Sequence, residues 1–348
     1  MNRATSTRAW MAALAAAGLL GGCVSGFDRN DQIVDSLRIL GVSQRVENSP
    51  VADADIGDTV DLSALVVNPG GLSTVTVTWV ACLPVPGQTQ PCTDPEYLAD
   101  PRKVVALAGD PNHGVVQLGT GTDISLVVPD ELKPLRDMLI TRAQTQVNAQ
   151  CALYTQIPLL IVAEDSANGA VFAAVKNLRL APVHEIGANT DDPTLQGYVP
   201  NTNPEIMAFN QGPSSLFACD GYPLATPCQQ DADCAAGASC VAGACSGSPP
   251  PFPDGFQTIC LALAPAQSYY VCTFDGPDLA NPVPEQPEVT WYMTAGSLAT
   301  ISPPSNGSGS SLASRTFTGF TRKPGPFTIY GVVRDARDGE TWIAQDFQ

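Results

Sequence analysis

The sequence predicts a mainly β chain folded as two antiparallel sandwiches. Three observations carry this. Glycine (30) and proline (31) are abundant, which favours many turns over long helices. Short runs of alternating apolar residues recur between turn signals along most of the chain. One pattern also occurs twice, in the same order, once in each half.

The repeat is explicit. Val77-Thr78-Trp79 recurs as Val289-Thr290-Trp291, and residues 162–174 align without gaps on residues 332–344. The shared pattern is V-x-x-D-x-x-[ND]-G-x-x-[FW]-x-A. Asn168-Gly169 and Asp338-Gly339 fall between β-rich runs, and such pairs supply the positive φ of a tight hairpin turn. Each half is therefore expected to hold a Trp-centred strand and a terminal hairpin, with Gly169 and Gly339 both at positive φ.

In the first domain, residues 36–181, strands are predicted at 36–42, 58–67, 75–81, 115–118 and 124–128. A last hairpin joins 157–164 to 170–180. Val75, Val77, Trp79 and Ala81 share one face, with threonines on the other. A helical insertion is expected at about 134–151, with Leu135, Leu139, Ala143, Val147 and Cys151 as its apolar stripe and Arg136 on the polar face. Pro134 suits its first turn. Residues 182–203 read as a polar linker. In the second domain, residues 204–348, strands are expected at 205–210, 256–263, 288–293 and 314–318, then a hairpin over 328–345. Trp79, Trp291 and Trp342 read as core residues.

The balance of 17 basic against 34 acidic side chains excludes a nucleic-acid binder, which needs a basic surface. Eleven cysteines with two histidines are a disulfide composition rather than a zinc composition. No nucleophile motif, metalloprotease helix or phosphate loop is present. His113 lies in a turn and His184 at the start of the linker. The acidic pairs Asp53/Asp55 and Asp191/Asp192 read as solvated loop residues. No cofactor and no enzymatic activity are expected.

Residues 1–22 have the parts of a secretory signal: Arg3 and Arg8, then a short apolar run over 10–20, then small residues. Eleven residues span roughly 17 Å as a helix, too short for a stable membrane span. Leu20-Gly21-Gly22-Cys23 resembles the bacterial lipobox. The resemblance implies lipidation of the Cys23 thiol, cleavage before it, and two or three acyl chains to hold the protein on a membrane. Val24-Ser25 places no Asp after the lipidated position, which points to the outer membrane. Residues 23–35 are expected to form a polar tether that keeps the first domain near its membrane.

The cysteine run Cys228, Cys234, Cys240 and Cys245, within an insertion at about 219–245, lacks the close pairs or histidines of a zinc site. Asp231 and Asp233 leave calcium open, but two carboxylates are few for that ion. Bridges must hold so short a module. The expected pairs are Cys228–Cys240 and Cys234–Cys245, with one more pair among Cys219, Cys260 and Cys272. Cys82 and Cys92, flanking a Pro/Gly loop, are the local pair of the first domain. Cys151 is expected as a buried thiol.

The architecture resembles bacterial Ig-like domains. With the lipobox and the short Cys-rich module, the chain resembles the Ig-like envelope lipoproteins of myxobacteria. It departs from antibody-type domains because Cys82 follows Trp79 by only three residues. The resemblance implies a lipid-anchored structural or adhesive module whose partners are the membrane and an envelope or surface protein or polysaccharide. The competing reading is a peptide-binding or protease-inhibitory lipoprotein acting through the Cys-rich module.

Overall fold

The computed structural model describes residues 32–85, 87–110, 112–147, 154–184, 198–212, 222–225, 239–241, 244–246, 256–265, 267–269, 272–273, 276–277, 281–300, 315–321 and 325–347. The signal segment, Cys23, Cys151, Cys219, Cys228, Cys234 and the acidic pairs Asp191/Asp192 and Asp231/Asp233 lie outside the described residues.

The elements are β1 (Arg38–Val46), β2 (Thr59–Val67), β3 (Val75–Cys82), α1 (Pro95–Leu98), α2 (Arg102–Ala106), β4 (Val115–Thr120), β5 (Asp123–Val127), α3 (Lys133–Val147), β6 (Thr155–Asp165) and β7 (Ala170–Leu180). Then follow β8 (Ile206–Gly212), β9 (Tyr222–Ala225), β10 (Ser239–Val241), β11 (Ala244–Ser246) and β12 (Phe256–Leu263). Four two-residue strands come next, β13 (Ser268–Tyr269), β14 (Cys272–Thr273), β15 (Gly276–Pro277) and β16 (Val283–Pro284). The last are β17 (Glu288–Met293), β18 (Ser297–Thr300), β19 (Arg315–Thr321), β20 (Phe327–Arg334) and β21 (Glu340–Phe347).

Each half is an antiparallel Ig-like sandwich. In the Ig plan, strands one, two, five and four share one sheet, and three, six and seven share the other. The second half follows it: β18-β19-β12-β8, with β9 added at the edge, faces β17-β20-β21. In the first half the fourth strand has moved across, giving β1-β2-β5 and β4-β3-β6-β7. The repeated segments occupy equivalent places in identical register. Val77 opposes Ala163 and Trp79 opposes Ile161; Val289 opposes Val333 and Trp291 opposes Gly331.

Alternation along these strands fills three stacked cores. Leu62, Ala64 and Val66 of β2 meet Trp79, Leu159 and Ile161 inside the first sandwich. Trp291, Met293, Ile329 and Val333 meet Phe209, Ile259 and Leu261 inside the second. The remaining faces then pack on each other. Leu40, Leu65 and Val67 meet Tyr292, Tyr330 and Val332, with Trp342 partly buried against them. β2 and β20 are thus apolar on both faces, which is why Ala64-Leu65-Val66-Val67 is an uninterrupted apolar run. Gly41 permits this approach, since a Cβ there would stand 3.0 Å from Glu340 Oε1 and 3.1 Å from Trp342 Cε3.

Ile33–Gln348 is one compact unit, within which the sandwiches lie side by side and inverted. β7 ends at Leu180, beside Ala54, and β8 begins beyond Asn201, which bonds to Ala52. The hairpin at 165–169 therefore lies at the opposite end of the body from the hairpin at 335–339.

Three expectations are corrected. The tether does not stay free to residue 35. Val34 is fully buried, its N–H donates to the Met293 carbonyl at 2.8 Å, and Ile33 bridges to Met293. Gly169 takes φ 73°, as expected, but in the second hairpin the positive φ (71°) falls on Asp338. Gly339 is required for a different reason: a Cβ there would stand 2.1 Å from Asp335 Oδ2. Among the described side chains of α3, Arg136 and Ile140 are buried (1% and 8% exposed), Leu135 and Leu139 are half-buried and Met138 is exposed. The ion pair of Arg136 with Asp55 seats the first turns of this helix, while the side chains of Ala143, Val147 and Cys151 from the predicted stripe lie outside the described residues.

Candidate functional site

The polar chemistry of the described residues concentrates at the seam between the sandwiches. Asp53 sits in the turn between β1 and β2, with its side chain fully enclosed. Its carboxylate accepts from Arg179 Nε at 2.6 Å, from the Tyr198 hydroxyl, and from the Asn201 N–H at 2.9 Å. Arg179 reaches this point because β7 alternates it inward near its end. There it stacks on Tyr154, Cζ lying 4.0 Å from the ring centroid. Burial opposes the charge of Arg179, but Asp53 outweighs it and raises the guanidinium pKa. The Tyr198 phenol is pushed far above its ordinary value by burial and by the Asp53 charge.

Asn201 carries the network into the second sandwich. Its Nδ2 donates to the Arg337 carbonyl at 3.1 Å and to Asp335 Oδ2 at 3.3 Å. Asp335 also accepts the N–H groups of Arg337 and Gly339, at 2.7 and 2.8 Å. Arg337 pairs with Glu285 and donates to the Val199 carbonyl and Gln267 Oε1, each at 2.6 Å. Burial raises the pKa of Asp335 and of Glu285; for Glu285 the Arg337 charge offsets part of this. Every group here holds another in place.

A second polar contact crosses the seam beside it. Glu340, 4% exposed, meets Lys176 Nζ at 3.3 Å and Arg334 Nη2 at 2.8 Å. Arg334 also donates to the Leu40 carbonyl at 2.6 Å. These side chains edge a cleft of about 200 Å³ between β1, β7 and the last hairpin.

Asp53 and Asp55 are thus corrected from solvated loop residues to buried anchors (1% and 3% exposed). Asp55 pairs with buried Arg136 of α3 and accepts the His184 N–H at 2.8 Å. The His184 ring bonds Asp58 at 2.8 Å, which raises its pKa. His113 lies in its turn and bonds Asp110 at 3.0 Å. Among the described residues, no group of three or more His, Cys, Asp and Glu is placed to hold a metal ion.

The Cys82–Cys92 bridge forms as expected. It lies on the outer face of β3, outside the sandwich core. There it pins the α1–α2 loop over Val80, Leu160 and Val162. A cleft of about 270 Å³ opens beside this cap, lined by Thr76, Thr78, Arg102 and Glu164 over Val162. Cys260 is disulfide-bonded. β10 and β11 set Cys240 opposite Cys245 in register, and Cys272 lies in β14.

The residues that sequence reasoning missed are Arg179, Asn201, Glu285 and Arg337. One signal was available: Asp165 and Asp335 are the shared Asp of the repeat. Both accept N–H groups of their own hairpins.

No family model matches the chain, and no curated protein matches it. Among solved structures it overlaps the fibronectin(III)-like modules of Clostridium thermocellum CbhA at 9% identity, covering 87% of this chain and 92% of that chain, with a TM-score of 0.19. It overlaps the C-terminal domain of the Streptococcus pyogenes antigen I/II-family protein AspA at 8% identity, covering 89% and 99%, with a TM-score of 0.19. A marsupial T cell receptor overlaps at 7% identity, covering 90% and 97%, with a TM-score of 0.18. Scores this low carry no argument; the sandwich architecture rests on the strand pairing and cores described above.

Proposed function

We propose that the chain is a lipid-anchored protein of the cell envelope that works as a structural or adhesive binding module, without catalysis. The observation that carries this reading is the seam. Domains strung on one chain ordinarily keep a modest, polar interface and move against each other. Here an apolar core and a buried ion-pair network fix two Ig-like sandwiches side by side. Such a body holds its loops at set spacing and orientation, which suits the presentation of surfaces to a partner. Its acidic charge repels anionic lipid, so attachment falls to acyl chains on Cys23.

The test is made in cells. The native chain should fractionate with the outer membrane, its first peptide beginning at Cys23 and carrying a diacylglycerol mass. Cys23→Ala should lose both. A Cys23→Ala chain that still fractionates as a processed, lipid-bearing form would contradict the reading. Crosslinking on intact cells should capture an envelope protein or polysaccharide with the native chain, and capture of neither would count against the binding role.

A further inference from the structure

We infer that one end of the sandwich pair is built to face a lipid surface, and that the opposite end, carrying the polar seam, faces outward. The inference rests on the lipid-anchor reading of Cys23 and adds an orientation to it. It starts from where the chain enters the folded body. Ile33 bridges to Met293 at the free edge of β17, and Val34 is fully buried between the sandwiches. Nine residues lie between Cys23 and Ile33, so the entry point lies within about 35 Å of an acylated Cys23.

Connectivity defines what shares that end. Asp35 pairs with Arg38, and Arg38 opposes Val67. Asn68, the next residue, donates to Asp165 of the first hairpin at 3.1 Å. On the second sandwich, Met293 opposes Ile329, and Phe327 opposes Phe347 near the C-terminus. The turn at 68–72, the hairpin at 165–169 and the turn at 294–296 therefore cluster around the entry point. The strands run away from it: β1, nine residues long, spans about 30 Å. At its far end lie Asp53, Asn201, His184 and the hairpin at 335–339. Because the sandwiches are inverted, each contributes one end to the membrane side. A tether docked on the first domain alone would instead leave the second beyond it.

The experiment uses the full lipidated chain in phosphatidylethanolamine–phosphatidylglycerol vesicles that carry an acceptor-labelled phosphatidylethanolamine. A fluorescent amino acid replaces Leu72, exposed at the entry end, or Ala336, exposed in the far hairpin. Energy transfer from position 72 should exceed that from position 336 at least twofold. A 30-residue Gly/Ser spacer inserted after Ser25 should lower both and bring their ratio towards one. Equal transfer from the two positions in the unmodified chain, or greater transfer from 336, overturns the orientation while leaving the anchor intact. A chain that fails to float with the vesicles overturns the anchor reading and the orientation together.

Discussion

Replacing Asp53 by Ala removes the one carboxylate that Arg179, Tyr198 and the Asn201 N–H share. Arg179 is 4% exposed in its side chain and cannot reach water without moving β7. Breaking a buried pair by removing one partner costs about 3–5 kcal/mol, because the other charge stays buried. The lost bond to the Asn201 N–H adds a buried donor without a partner. The loss should therefore reach at least about 3 kcal/mol. It is measured by urea unfolding of the Cys23→Ala chain, from the shift in midpoint at unchanged slope. The pair should also show strong coupling: Arg179→Met added to Asp53→Ala removes the orphaned charge and should recover at least about 1 kcal/mol. A single-variant loss below about 1 kcal/mol, or no recovery in the double variant, would refute the view that this cluster sews the sandwiches together.

Gly169→Ala should cost about 1 kcal/mol, because φ is positive but no atom lies within 4 Å of the new Cβ. Gly339→Ala should cost more, about 2–4 kcal/mol, because it expels the Asp335 carboxylate from its bonds; equal losses in thermal unfolding would contradict the two reasons given. Cys82→Ala with Cys92→Ala opens a loop of separation 10 and should cost about 3 kcal/mol in denaturant unfolding; an unchanged midpoint would remove the cap from the account. Asp335 has a raised pKa in the folded state, so the native chain holds its proton longer than the unfolded chain. Its contribution is full below the unfolded pKa and is lost as pH rises through the folded one. Asp335→Asn should thus flatten the fall in stability from about pH 4 towards neutrality, and a steeper fall in pH-dependent unfolding would reverse the sign argued here.

Much of the fold was legible because it depends on short-range pattern. Val77 and Trp79 alternate with Thr76 and Thr78, Val289 and Trp291 with Glu288 and Thr290, and Asn168-Gly169 marks a hairpin by local chemistry. The repeat alone makes β3 equivalent to β17. The seam was not legible, because it depends on partners far apart in sequence. Asp53 looks like a loop residue until Arg179, 126 positions away, is placed against it. Arg136 follows the same logic: helical periodicity assigns a charge to solvent, while a carboxylate 81 residues earlier draws it inward. The second hairpin misled for a subtler reason. Asp-Gly fits either residue at positive φ, and the side chain of Asp335 decided which one took it.

The central claim is that the two sandwiches act as one body, and unfolding seen from each side tests it most directly. With Trp10→Phe in every variant, Trp291→Phe with Trp342→Phe leaves Trp79 to report on the first sandwich. Trp79→Phe leaves Trp291 and Trp342 to report on the second. Urea unfolding followed by tryptophan fluorescence in these two variants of the Cys23→Ala chain, each compared with its own far-UV circular dichroism, should give coincident transitions in both. Two separated transitions, with one sandwich unfolding while the other stays folded, would contradict the account.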